Sequence, residues 1–408
     1  MSCWWALCVC IGVFSPLLSA QTWQDKPGVK DTFTISSGYF STNYANNIDY
    51  VQFMTEESRL EERVALWGYG HMESTPVWRG VYLVTTNLFN YLSLLDVSYH
   101  EWGHASRIVA GGGTATLSKC YSKDNVICPA PRDFFGYVNS QLFNLSGGGG
   151  GAKLTGGEFV VNGEVGRAPW AIISGAGVNN EMLVADKLNE SNFIHGTGNI
   201  FSQWGHWGGQ FAIAKYAPAL TGDMNNVTKI YQTSGVDSNI TENDLRNING
   251  MSVISGSTVS TIKATYDFVT KGTVNVKPWT VGGFLVPNQF NYISSRGITR
   301  KWASGYEWDD NTKLLVSYEY VVRGDSFTEP GLGVYKNFGG WDALIKVSGK
   351  TMGWANVETA FSKRLNKNWK LTATAYMWDS RSLMGERNTL DLSSIKTYQG
   401  SVGVAYEY

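Results

Sequence analysis

The residues best suited to chemistry fall in one stretch, Ser98-Tyr99-His100-Glu101-Trp102-Gly103-His104-Ala105-Ser106-Arg107. His100 and His104 are four apart, so on a helix both imidazoles leave the same face about one turn from each other. That spacing lets two neutral nitrogens hold one Zn²⁺. Glu101, between them in sequence, is placed to take a proton from water at the metal. The chain has five histidines, at 71, 100, 104, 195 and 206, and this pattern uses two of them.

A hydrolytic zinc site needs three protein ligands and one open position, so a third must come from elsewhere. The strongest candidate is Glu181, inside a second helix signal that opens at Ala168-Pro169 and contains Ser174-Gly175-Ala176-Gly177-Val178-Asn179-Asn180-Glu181. From Tyr99 to Asp186 the chain resembles the gluzincin metallopeptidases. In that family HExxH on one helix is completed by a Glu on a later helix, in a Gly/Ala-rich Asn-Glu context. The resemblance implies a Zn²⁺ cofactor, a protein or peptide substrate, His100, His104 and Glu181 as ligands, and Glu101 as general base. In one respect the chain departs from it. The family's supporting Asp lies four residues after the Glu, where this chain has Ala185, and Asp186 is five away. At about 100° per residue, Asp186 points about 140° from Glu181. Asp96, one turn before His100, is the alternative support for a ligand. His195 and His206 are the spare histidines for a transition-state donor, against the alternative that each is structural.

These residues need elements to hold them. Thr75-Pro76 reads as a helix start, with Thr as cap and Pro in the first turn. The apolar run from Val81 to Tyr99 has Asp96 as its only charge and delivers the motif as a long, largely buried helix, which Gly111-Gly112-Gly113 ends. The same run is long enough to span a bilayer, so an intramembrane protease is a rival reading. A third helix is expected within Gly198 to Ala217. The glycine tract from Gly147 to Gly151 reads as a loop or linker, and no Gly-Lys-Ser/Thr follows it to make a phosphate loop.

From about residue 250 the period reads as two. Ser257–Phe268, Lys313–Val322, Asn356–Phe361 and Trp369–Trp378 are expected strands, with turns at Asp309-Asp310-Asn311-Thr312 and Asn366-Lys367-Asn368. The chain closes on Tyr398, Gly400, Val402, Val404, Tyr406 and Tyr408 along one face. Asp31–Tyr44 contributes a further strand.

A net charge of −1 argues against nucleic acid as a partner, and 16% charged residues alongside 46 glycines, 21 tyrosines and 16 tryptophans suits strands solvated by lipid. Met1–Ala20 reads as a cleaved export signal that takes Cys3, Cys8 and Cys10 with it. Cys120 and Cys128 remain and are expected to form one disulfide. The expected fold class is therefore α+β, a transmembrane antiparallel β-barrel in the bacterial outer membrane, in contact with outer-membrane lipid, with an inserted helical metallopeptidase-like region. Its parts are a signal peptide (1–20), N-terminal barrel strands (21–75), the helical zinc region (76–245) and C-terminal barrel strands (246–408). The rival in function is a non-catalytic barrel, channel or structural, whose helices plug the lumen.

Overall fold

A computed structural model of the chain describes residues 32–36, 55, 62, 64–71, 75–92, 94–118, 151–156, 169–196, 198–216, 222–350, 356–366, 369–388, 392 and 396–407. The export signal, Cys120, Cys128 and most of the glycine tract lie outside them.

The helices are α1 (Pro76–Leu92), α2 (Leu94–Ala110), α3 (Pro169–His195), α4 (Ile200–Gly209), α5 (Ala212–Tyr216), α6 (Asp223–Ser234), α7 (Glu242–Gly250), α8 (Gly256–Lys271) and α9 (Leu383–Asn388). The long helix expected from Thr75-Pro76 is present as α1 and α2, but its first part is not the buried helix expected: Val77, Trp78, Val81 and Val84 stand exposed. Among the described residues no helix is long and apolar enough to cross a membrane.

Helix α3 is the axis of the molecule. Buried apolar side chains run right round it: Ala171, Ile172, Ile173, Val178, Met182, Leu183, Val184, Ala185 and Leu188, as expected of a helix enclosed by others. Helix α2 packs along it through Trp102, Ala105 and Ile108. Strand β7 (Phe284–Ser294) covers another side. Asn179 ties the two together, donating from Nδ2 to the Ile293 carbonyl at 2.8 Å and accepting the Ile293 N–H at 2.8 Å.

The strands are β1 (Thr32–Ser36), β2 (Thr114–Ser118), β3 (Gly151–Gly156), β4 (Gly198–Asn199), β5 (Asn275–Val276), β6 (Thr280–Val281), β7, β8 (Gly297–Asp309), β9 (Thr312–Gly324), β10 (Thr328–Asn337), β11 (Trp341–Ser348), β12 (Asn356–Arg364), β13 (Trp369–Asp379) and β14 (Lys396–Glu407). Ten of them form one antiparallel sheet in the order β1-β14-β13-β12-β11-β10-β9-β8-β7-β6. The expected turn at Asp309–Thr312 closes a hairpin, Asp309 pairing with Thr312; of the second, Lys367 and Asn368 lie outside the described residues, and Arg364 pairs with Lys370 on either side.

The expected closed barrel is corrected by this order. Each strand from β6 to β14 pairs with its neighbour in the chain, and β1 adds to β14. Among the described residues β1 and β6 do not pair with each other, so the sheet is open. A closed barrel needs its end strands paired along their length, and β6 offers only two residues.

A second correction concerns Ser257–Phe268, which is helix α8 rather than a strand. Ser257, Thr261, Ala264 and Phe268 are buried while Ile262 and Tyr266 are exposed. The alternation of Ile262, Ala264, Tyr266 and Phe268 fits a period of two, but the face that packs follows the helical period. The helical part therefore runs to Lys271 and the long strands begin at β7.

The two faces of the sheet differ in kind. Toward α3 it presents charge: Arg387 of α9 makes a bidentate pair with Glu319 at 2.6 and 2.7 Å, Lys346 pairs with Glu190 at 2.8 Å, and Lys187 pairs with Glu358. On the other face Val316, Tyr318, Leu332, Val334, Ile345, Val347, Phe361, Leu371 and Val402 stand exposed.

Candidate metal centre

The motif lies on α2 with His100, Glu101 and His104 all buried. The Nε2 atoms of both histidines converge on one carboxylate oxygen, Asp223 Oδ2, at 2.8 Å from His100 and 3.1 Å from His104. The three ligand atoms lie within 4.8 Å of one another. Asp223 is the first residue of α6, and Gly222 before it has φ of 151°, a backbone conformation that favours glycine. Met224, Val227 and Tyr231 seat α6 in the core, and the Tyr231 hydroxyl donates to the Ser294 carbonyl at 2.7 Å, so the position of Asp223 is set by packing.

Glu181, expected as the third ligand, sits on the opposite edge of His100. Its Oε1 is 3.2 Å from Nδ1, the nitrogen facing away from Asp223. His104 Nδ1 lies 2.6 Å from the Ile173 carbonyl. Both Nδ1 atoms are thus engaged by acceptors, which fixes the rings with Nε2 turned inward. Glu181 therefore lies outside the group, and it is Asp223 that with His100 and His104 forms a cluster that could hold a metal ion. Asp186 is elsewhere: it accepts from the Tyr292 hydroxyl at 3.1 Å and pairs with Lys301 at the sheet. That separation agrees with its angular offset from Glu181. Asp96 lies on α2, but its side chain is outside what the structure describes.

The spare histidines are not brought to this group. His195 ends α3 with its ring edge against Tyr335, centroids 6.3 Å apart. His206, buried on α4, lines a small polar cavity with Asn189, Asn192, Gln203, Ser257 and Asn288. Among the described residues neither of its ring nitrogens has a hydrogen-bond partner. Burial lowers its pKa to about 4, so it is neutral at physiological pH.

The electrostatics describe a pocket that favours positive charge at the two Nε2 atoms. Burial opposes protonation of His100, yet hydrogen bonds and charge from Asp223 and Glu181 outweigh it and push its pKa up to about 10. His104 is raised in the same way by Asp223, with Glu101 adding to it. Burial works to raise Glu181, but Lys215 and His100 hold it below the usual carboxylate range. Asp223, also resisted by burial, is held far below that range by the two histidines.

Two glycines make the centre possible. A Cβ at Gly177 would lie 2.5–2.6 Å from three atoms of the His100 ring, so only glycine lets α3 pass there. A Cβ at Gly103 would run into the Ala176 carbonyl, 2.8 Å from its carbon, so the glycine inside the motif sets how closely α2 approaches α3.

The group of His100, His104 and Asp223 could hold a metal ion. Two imidazole nitrogens and one carboxylate oxygen are a known catalytic combination, and bonds of about 2.0 Å in a tetrahedron place ligand atoms about 3.3 Å apart. The observed 2.8 and 3.1 Å need only a slight expansion to reach that. No protein-family model, curated protein or solved structure matches the chain.

Asp223 was not singled out in the sequence. The available signal was Gly222-Asp223 opening a run with Met224, Val227, Thr228 and Tyr231 at helical spacing, an acid at a helix start. Nothing in that pattern says which distant helix the acid meets.

Proposed function

We propose that the protein is a zinc-dependent hydrolase of peptide bonds, with His100, His104 and Asp223 holding the metal and Glu101 as general base. The observation that carries this is the convergence of both Nε2 atoms on Asp223 Oδ2 while both Nδ1 atoms are held by acceptors. Zinc held there supplies a Lewis acid that polarises a carbonyl and brings the pKa of a water toward neutrality. The Glu101 carboxylate takes a proton from the attacking water and delivers it to the leaving amine. Glu181 and the Ile173 carbonyl keep the imidazoles in the tautomer that turns Nε2 inward.

The test is zinc content of purified full-length protein together with hydrolysis of a mixed peptide pool. Wild type should hold near one zinc per chain, and His100→Ala and Asp223→Ala should lose it. Glu181→Gln should keep zinc with affinity lowered about 10–100-fold, the range for an outer partner. Glu101→Gln should keep zinc and lose cleavage. Full zinc retention in Asp223→Ala, or cleavage by Glu101→Gln at the wild-type rate, would overturn the assignment.

We infer also that the outer sheet face lies against lipid, at the bacterial outer membrane. Its exposed aliphatic band ends, at the hairpin level, in Trp308, Phe338, Trp341 and Trp369, and Lys363 sits 4.7 Å over the Trp341 ring. An apolar band edged by aromatics and cations matches the interface between hydrocarbon and anionic headgroups.

A further inference from the structure

We infer that Lys215 is a positioning residue for the metal centre, acting on His100 through Glu181; the inference rests on the zinc reading above. Glu181 is used as a bridge. Its Oε1 faces His100 Nδ1 at 3.2 Å, and its other oxygen, Oε2, is 3.3 Å from Lys215 Nζ. The Glu181 side chain is only 2% exposed, so little water can replace either partner. With one oxygen assigned to each, the plane of the carboxylate is set, and with it the direction from which the imidazole is held. Without the ammonium, Oε2 would be a buried charged oxygen short of a donor, and the carboxylate could turn to seek one.

Lys215 is itself held. Helix α5 is short, but the Ala214 N–H donates to Asn249 Oδ1 at 2.9 Å, and Asn249 Nδ2 donates to the Gln210 carbonyl at 2.8 Å. Asn249 is fully buried, so this clamp fixes the backbone on which Lys215 stands. The next residue addresses the same histidine from a second direction. The Tyr216 ring stacks on His100 with centroids 4.5 Å apart and planes 26° apart. Two consecutive residues of α5 therefore restrain His100, one at its edge through Glu181 and one on its face. The motif supplies the imidazole; α5 sets its tilt.

The ammonium also balances charge. Its charge offsets that of Glu181, the carboxylate it pairs with. Removing it should alter both how tightly the metal is held and the symmetry of the field around it.

The experiment uses the full chain loaded with Co²⁺, whose visible absorption reports ligand geometry, with zinc affinity measured by chelator competition. Lys215→Met should bind one cobalt with a displaced absorption envelope and hold zinc about 10-fold more weakly. Lys215→Arg should restore both. In a Glu181→Gln background Lys215→Met should have no further effect, because the lysine acts through that carboxylate. A Lys215→Met protein with wild-type spectrum and affinity would overturn the inference. So would a loss of the same size in the Glu181→Gln background. Wild-type protein that binds no cobalt overturns the zinc reading itself, which separates the two failures.

Discussion

Replacing Gly103 by Ala tests how α2 and α3 build the metal centre. The new Cβ would meet the Ala176 carbonyl, with its carbon at 2.8 Å and Asn180 Nδ2 at 3.0 Å. Carbon atoms in contact sit about 3.5–4.0 Å apart, so the two helices would have to separate by about 1 Å. The neighbour is backbone, so no side chain can swing away. Overpacking of this kind costs about 1–3 kcal/mol, and the upper end applies here. Alanine returns about 1 kcal/mol of helix propensity. The net loss is about 2 kcal/mol. The separation acts on the site directly, because His104 is held by Ile173 and His100 by Glu181, both on α3. Ligand positions tolerate about 0.2 Å, so zinc affinity should fall at least about 10-fold. The control is Gly205→Ala in α4, exposed and with nothing within 4 Å of the added carbon. It should gain up to about 1 kcal/mol and leave zinc binding unchanged. Thermal melting by circular dichroism and chelator competition on both variants are the measurements. If Gly103→Ala melted and bound zinc as Gly205→Ala does, the close approach would not be what shapes the centre.

The other predictions concern pH and lipid. Glu386 of α9 is buried, and burial raises its pKa from 4.5 to about 7 against the pull of Ser295 and nearby arginines. The folded state therefore binds the extra proton between these values, so stability should fall as pH rises through that window, by about 3 kcal/mol at 1.36 kcal/mol per unit. Urea midpoints at pH 5 and pH 8 should show the drop in wild type and a flatter response in Glu386→Gln; equal slopes would contradict it. For the outer sheet face, Leu332→Lys and Ile345→Lys together should abolish flotation with anionic vesicles while leaving zinc content intact. Each such lysine costs about 2–4 kcal/mol in hydrocarbon, and undiminished flotation would remove the lipid reading.

Local patterns were legible because their physics is local. The i, i+4 spacing of His100 and His104 fixes one helical face wherever the helix goes, and the structure finds them on one helix pointing at one oxygen. The hairpin at Asp309–Thr312 follows from turn residues between alternating runs. The helix start at Pro169 was readable for the same reason. The alternation in Ser257–Phe268 was ambiguous, since a short apolar run fits two periods until it is known which side packs.

What the chain alone determined was the pair of imidazoles, the carboxylate beside them and the elements that carry them. What only the tertiary structure decided was the partnership. A sequence places Glu181 in a promising context, yet whether it meets Nε2 or Nδ1 depends on the side of α2 that α3 passes. That side is set by close approach at Gly103 and Gly177. Asp223 reaches the centre only because α6 docks through Met224, Val227 and Tyr231. Closure of the sheet was equally out of reach: alternation specifies faces, whereas an edge pairs or stays open according to the length and path of strands far apart in sequence.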